Sequence, residues 1–172
     1  MSTISISVTK TSQSKLPETD FSSLVFGKSI SDHMFVADYQ NGAWGDFRIV
    51  PYGPMEIYPG NATLHYGQAI FEGMKANKTE SGEILMFRPD MNAKRFAESC
   101  ERMCMPVLSE EMFVELVRKV VEVDKEWVPS KDGDSLYIRP FMFATDDFIG
   151  IKPCKIFCSV WIKYRDNFYG AT

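Results

Sequence analysis

An arginine set in an aromatic alternation is the first residue of this sequence with an evident chemical use. In Leu136-Tyr137-Ile138-Arg139-Pro140-Phe141-Met142-Phe143, an extended strand puts Tyr137, Arg139, Phe141 and Phe143 on one face. Leu136, Ile138, Pro140 and Met142 fall on the other. A guanidinium among aromatic rings must meet an anion or reach water, and its planar fork suits a carboxylate held by two parallel hydrogen bonds. An edge-strand arginine extending to solvent reads the same pattern equally well. A second cation, Arg95, follows Ala93 by two residues in a helical pattern and lies off its apolar stripe. Read as first-turn, it could meet a phosphate, because unpaired backbone N–H groups favour anions there. A solvated helix face is the simpler reading. Tyr66, between His65 and Gly67, stands at the mouth of a short helix, where packing or a surface hydroxyl is the ordinary role.

Other chemistries are poorly served. Two histidines make a His-based metal site improbable, and no phosphate-cradling glycine loop, GxGxxG or Gly-x-Ser-x-Gly elbow occurs. The four cysteines form Cys100-x3-Cys104 and Cys154-x3-Cys158, spacings better suited to buried thiols in a reducing compartment than to zinc.

The elements that position these residues follow from punctuation and periodicity. His33–Gln40, Asn41-Gly42 and the run from Ala43 read as a hairpin, since Asn-Gly supplies the positive φ of a tight turn. Pro51 to Gly60 is a turn-rich connection, and Gly67–Asn77 reads as a short helix. Glu83–Arg88 is a buried strand, followed by a helix to about Met105 with Ala93, Phe96, Ala97, Cys100, Met103 and Cys104 as its stripe. Ser109 caps the next helix. Strands follow at Leu136–Ala144 and about Lys155–Lys163. Helices and strands come in clusters, so the expected class is α+β, a largely antiparallel sheet with helices on one side.

The 172 residues are 45% hydrophobic and 13% aromatic, enough for a packed core. A net charge of −4 argues against nucleic acid as a partner. No apolar run reaches membrane-spanning length. Residues 1–20 are rich in Ser and Thr and have no apolar run and no Arg, so a flexible cytoplasmic arm is expected rather than a leader peptide.

Beyond these patterns, the sequence resembles the branched-chain amino acid aminotransferases. The resemblance rests on Leu64-His65-Tyr66-Gly67-Gln68-Ala69-Ile70-Phe71-Glu72-Gly73-Met74-Lys75-Ala76, on Phe87-Arg88-Pro89-Asp90 with Asn92-Ala93-Lys94-Arg95, and on Ser135 to Pro140. Shorter matches are Phe26-Gly27, Asp32-His33-Met34 and Gly150-Ile151-Lys152-Pro153, so it spans about Leu24 to Pro153. It implies the small domain of a fold-type IV enzyme using pyridoxal 5′-phosphate, at least dimeric, exchanging amino groups between leucine, isoleucine or valine and 2-oxoglutarate. By position, Arg95 would bind the cofactor phosphate. Tyr66, Phe71, Tyr137 and Phe26 would wall the apolar pocket, Arg139 would meet the side-chain carboxylate of glutamate or 2-oxoglutarate, and Ile151 would reach a neighbouring subunit's site.

The resemblance also implies domain limits: an arm over 1–20, the small domain over 21–153, and a final strand with the start of a linker over 154–172. The family's Schiff-base lysine lies in a larger second domain, and none of the twelve lysines here matches its motif, so these residues alone are expected to be inactive. After Cys158-Ser159 the family's Pro-Val-Gly stretch is replaced by Val160-Trp161-Ile162-Lys163-Tyr164. Another fold-type IV enzyme, a D-amino acid aminotransferase or aminodeoxychorismate lyase, and a stand-alone domain without catalysis are the alternatives. The Tyr137-Ile138-Arg139-Pro140 run speaks against the first of these.

Overall fold

The computed structural model describes residues 5–21, 27–131, 133–150, 155 and 157–166. Its strands are β1 (Ser7–Val8), β2 (His33–Gln40), β3 (Ala43–Pro51), β4 (Ala69–Phe71), β5 (Met74–Lys78), β6 (Ile84–Met86), β7 (Ser135–Ala144) and β8 (Phe157–Asp166). They form one sheet in the order β1-β3-β2-β8-β7-β5-β6, with β4 also pairing to β7. Every pairing is antiparallel except β1 with β3. The helices are α1 (Ala62–Tyr66), α2 (Pro89–Arg102) and α3 (Glu110–Val123). This is the expected α+β arrangement.

The β2–β3 hairpin turns at Asn41 (φ 54°) and Gly42 (φ 84°), the positive-φ pair that this turn demands. Ser109 caps α3 as expected, its hydroxyl accepting the Met112 N–H. Helix α3 buries Phe113, Leu116, Val117, Val120 and Val121, a stripe at helical spacing. The core joins helices to sheet through touching rings. Phe96 meets Phe113 at 5.2 Å, Phe113 meets Trp161 at 4.9 Å, and Trp161 meets Phe35 at 4.8 Å.

Besides the Glu83–Arg88 segment, whose β6 is an edge strand with Leu85 49% and Phe87 87% exposed and not the buried strand expected, three expectations need correction. Gly67–Asn77 is not a helix. The helix ends at Tyr66, where Gly67 takes the left-handed conformation (φ 66°), and the chain then runs as β4 and β5. Ile70, Met74 and Ala76 are all buried, a pattern that suits either element; pairing of both segments with β7 decides for strands. Cys104 lies beyond α2, exposed and at φ 53°, so it leaves the apolar stripe that Cys100 keeps. Cys100 and Cys158 are buried, and burial pushes each thiol up to about 12.

The third concerns the expected flexible arm. Residues 5–19 are tied down: β1 pairs with β3, and the Lys15 N–H and Ser14 hydroxyl both donate to the Asp32 carboxylate, at 2.8 and 2.6 Å. Polar, Ser-rich composition hides this attachment because it is made largely by hydrogen bonds, with only Ile6 and Leu16 packing against the core. Strand β8, grouped with the linker in the sequence reading, lies mid-sheet between β2 and β7.

Candidate functional site

Strand β7 alternates as its sequence demands. Leu136, Ile138, Pro140 and Met142 are buried, whereas Tyr137, Arg139 and Phe141 on the opposite side are only partly covered. Strand β4 lies beside this stretch, with Phe71 opposite Phe141 in register. The Arg139 guanidinium is 4.3 Å from the Phe71 ring centroid and donates through Nη2 and Nε to the Tyr137 hydroxyl, at 3.0 and 3.3 Å. Cation–π contact and two hydrogen bonds hold this cation at the surface without an opposing carboxylate in either. Phe71 itself is 62% exposed.

The turn between β4 and β5 carries the neighbouring feature. Glu72 is anchored by its N–H donating to the Pro140 carbonyl at 2.9 Å. Its carboxylate accepts from Arg95 Nε and Nη2, each at 2.9 Å, from Asn92 Nδ2 at 2.7 Å, and from the Gly73 N–H at 3.3 Å. Burial works to raise the Glu72 pKa, but hydrogen bonds from Arg95 and Asn92 outweigh it and hold the carboxyl below its ordinary range. At Gly73 an added Cβ would lie 2.0 Å from the Tyr137 hydroxyl, so the missing side chain is what lets that hydroxyl sit there.

Beyond Arg95 opens a groove of about 550 Å³ lined by Gly73, Lys75, Phe87, Arg88, Asn92 and Arg95 among others. Three cationic residues thus line one space, Arg88 with the Asp90 carboxylate 3.5 Å from its Nη2. Arg88, just ahead of Pro89, adopts φ 45°, a left-handed conformation rare outside glycine. Arg95 is in the second turn of α2, which begins at Pro89, so the first-turn placement expected from sequence is corrected. The groove, and not the helix terminus, is the space next to its guanidinium.

The structure therefore brings Phe71, Tyr137 and Arg139 together and places Arg95 one residue's reach away through Glu72. Tyr66, 56% exposed at the end of α1, has His65 as its ring neighbour; among the described residues no hydrogen bond or ring contact joins it to the others. Phe26 and Ile151 lie outside the described residues. Glu72, Lys75 and Arg88 are not singled out by spacing. Glu72 meets its partner 23 positions away, which no local pattern reveals. Among the described residues no cluster of His, Cys, Asp or Glu could hold a metal, and no helix is long and apolar enough to cross a membrane.

A second charged cluster sits on the helix side of the sheet and is of another kind. Lys163, wholly buried, lies 3.1 Å from Asp124 Oδ2 and donates to the His33 carbonyl at 3.0 Å. The Thr11 N–H donates to His33 Nε2, so the ring proton is on Nδ1, which donates to Asp124 Oδ1 at 2.6 Å. Every polar group here has a partner and none faces solvent.

No family model matches the chain. It is 50% identical over 137 residues, 79% of its length, to branched-chain-amino-acid transaminase 1 of Bacillus subtilis (strain 168). It superposes with TM-score 0.60 on a branched-chain aminotransferase of Thermoproteus uzoniensis solved with norvaline, at 19% identity over 77% of this chain. With TM-score 0.56, 23% identity and 81% coverage it also matches the branched-chain amino acid aminotransferase from Escherichia coli. The fold is that of the small domain of fold-type IV enzymes. Within that class, the chain is homologous to the branched-chain aminotransferases. It spans about two fifths of the length of these relatives.

Proposed function

We propose that this chain forms the anion-gripping half of a branched-chain amino acid aminotransferase pocket. The observation that carries this is the pairing of two open cations of different company. Arg139 lies among aromatic rings, and Arg95 shares a groove with Lys75 and Arg88. A substrate pocket of this kind must accept both a branched aliphatic side chain and an acidic one. Phe71 and Tyr137 give aromatic wall beside Arg139; by family position Tyr66 and Phe26 would extend that wall and Ile151 would reach a neighbouring subunit's site, and Arg139 binds the side-chain carboxylate of glutamate or 2-oxoglutarate without itself being a buried unpaired charge. The Tyr137 hydroxyl orients that guanidinium.

The basic groove fits a phosphate ester, and Arg95 holds the phosphate of pyridoxal 5′-phosphate there. When bound, the cofactor supplies the electron sink for amino transfer between L-leucine, isoleucine or valine and 2-oxoglutarate. Its Schiff-base lysine comes from elsewhere than the motifs of this chain. Lys163 is sealed in the core, which takes it out of consideration. A cytoplasmic homodimer is part of the same proposal, its dimeric part alone supported by the exposed aromatic side chains of Tyr66, Phe71 and Phe87.

The test is reduction with borohydride in the presence of pyridoxal phosphate, followed by intact mass and peptide mapping, beside an assay with L-leucine and 2-oxoglutarate. The expected result is a pyridoxyl group on a lysine outside these residues wherever leucine is transaminated, and neither adduct nor turnover from these residues alone. Turnover by the 172-residue chain, or an adduct on Lys75, overturns the assignment. Preference for D-alanine over L-leucine would move the protein to another fold-type IV activity.

A further inference from the structure

We propose that Glu72 is the positioning residue for Arg95, gripping one edge of its guanidinium so that the opposite end is presented to a phosphate in the Lys75–Arg88–Arg95 groove. This rests on the phosphate reading above and adds the group that makes the grip directional.

A guanidinium has a fixed fork of five N–H donors. Glu72 takes the Nε–H and one Nη2–H through two bonds of 2.9 Å, a bidentate geometry. That leaves Nη1 and the second Nη2–H for another anion. The carboxylate is itself fixed: its side chain is only 12% exposed, Asn92 Nδ2 and the Gly73 N–H bond it from two other directions, and its backbone is pinned to Pro140. Arg95 is 53% exposed and would otherwise sample many rotamers. Asn92 also donates to the Gly73 carbonyl at 3.0 Å, which ties α2 to the β4–β5 turn.

The same turn controls the second cation. Phe71 supplies the ring under Arg139, and Gly73 leaves the space taken by the Tyr137 hydroxyl that Arg139 bonds. Three consecutive residues, Phe71-Glu72-Gly73, thus set the direction of both guanidinium groups. One cation is aimed at a phosphate and the other at a carboxylate.

The experiment reads the Arg95 Nε–H by nitrogen-edited NMR of the whole chain, free and titrated with inorganic phosphate, for wild type, Glu72→Gln and Glu72→Ala. Expected is a slowly exchanging Nε–H in wild type that broadens or disappears in Glu72→Ala and is partly rescued in Glu72→Gln, which keeps one acceptor. Phosphate affinity at this signal should fall about three- to tenfold in Glu72→Ala, as loss of a pre-set charge-assisted grip predicts. An unchanged Nε–H in Glu72→Ala overturns the proposal. So does equal or tighter phosphate binding, which would make Glu72 only a neutralising charge. A wild-type Arg95 that ignores phosphate while its Nε–H depends on Glu72 removes the phosphate reading and leaves the grip established.

Discussion

The molecule carries charge in a sealed cluster and in an open one, and the two use it differently. On the helix side Lys163, Asp124 and His33 are buried, mutually bonded and closed to ligands. Arg139 on the other face of β7 and Arg95 on α2 are open, each with part of its fork unfilled. The first arrangement joins β2, β8 and the end of α3, and through Thr11 also the N-terminal segment. The second leaves cations where an anionic ligand can arrive. Charge in a protein therefore tells little until its partners are known. A sealed pair specifies the fold, and a half-satisfied one at a groove specifies a ligand.

That contrast can be broken most forcefully on the buried side. Lys163→Met leaves the Asp124 carboxylate buried beside His33 without its cation, and should lower unfolding free energy by about 3–5 kcal/mol in urea titration. Adding Asp124→Leu should restore part of the loss, because the buried charge goes with its partner. No loss in the single variant would show that the cluster is not sealed.

On the open side the largest structural effect belongs to Gly73. Gly73→Ala places a methyl where the Tyr137 hydroxyl sits, so Tyr137 must move and release Arg139. Overpacking of this kind costs about 1–3 kcal/mol, and binding of 2-oxoglutarate should weaken in the folded fraction. Thermal melting together with a ligand titration separates the two effects.

Acid should loosen the attachment of Ser14 and Lys15 to Asp32. Burial raises the Asp32 pKa, but hydrogen bonds from Ser14, Lys15 and Trp127 outweigh it and hold the value below the ordinary 3.8. A depressed carboxylate contributes stability that is complete well above pH 3.8 and disappears as pH falls through the folded-state value. Wild type should thus lose urea stability between about pH 5 and 3 more steeply than Asp32→Asn does, as about a one-group difference. Equal slopes would remove Asp32 from this role. The smallest expected effect on folding is that of Tyr137→Phe, within about 0.5 kcal/mol, since the hydroxyl is part of the open face. Its signature is weaker binding of a dicarboxylate oxoacid with little change for a branched-chain one.

Much of this molecule can be read from sequence where one local pattern fixes the result. The Asn41-Gly42 turn, the Ser109 cap, the α3 stripe and the alternation of β7 all depend on neighbours within a few residues. The segment after Gly67 misleads because Ile70, Met74 and Ala76 suit two periods, and only distant β7 separates them. For the same reason Arg139 is visible as an oddity of its own strand, whereas Glu72 as the partner of Arg95 and Lys163 as the partner of Asp124 are not. Those pairs join elements that only the sheet topology brings together. Arg95 and Arg139 themselves are assigned through family resemblance, with spacing leaving both open.

On the proposed function the two open cations serve different anions, phosphate at Arg95 and carboxylate at Arg139. Equilibrium dialysis of pyridoxal phosphate against wild type, Arg95→Ala and Arg139→Ala tests it most directly. Arg95→Ala should weaken binding by about tenfold, the scale of one lost hydrogen-bonded charge contact, and Arg139→Ala should leave it unchanged. Equal affinity in wild type and Arg95→Ala, or an equal loss in both variants, would contradict the division of labour between the two arginines.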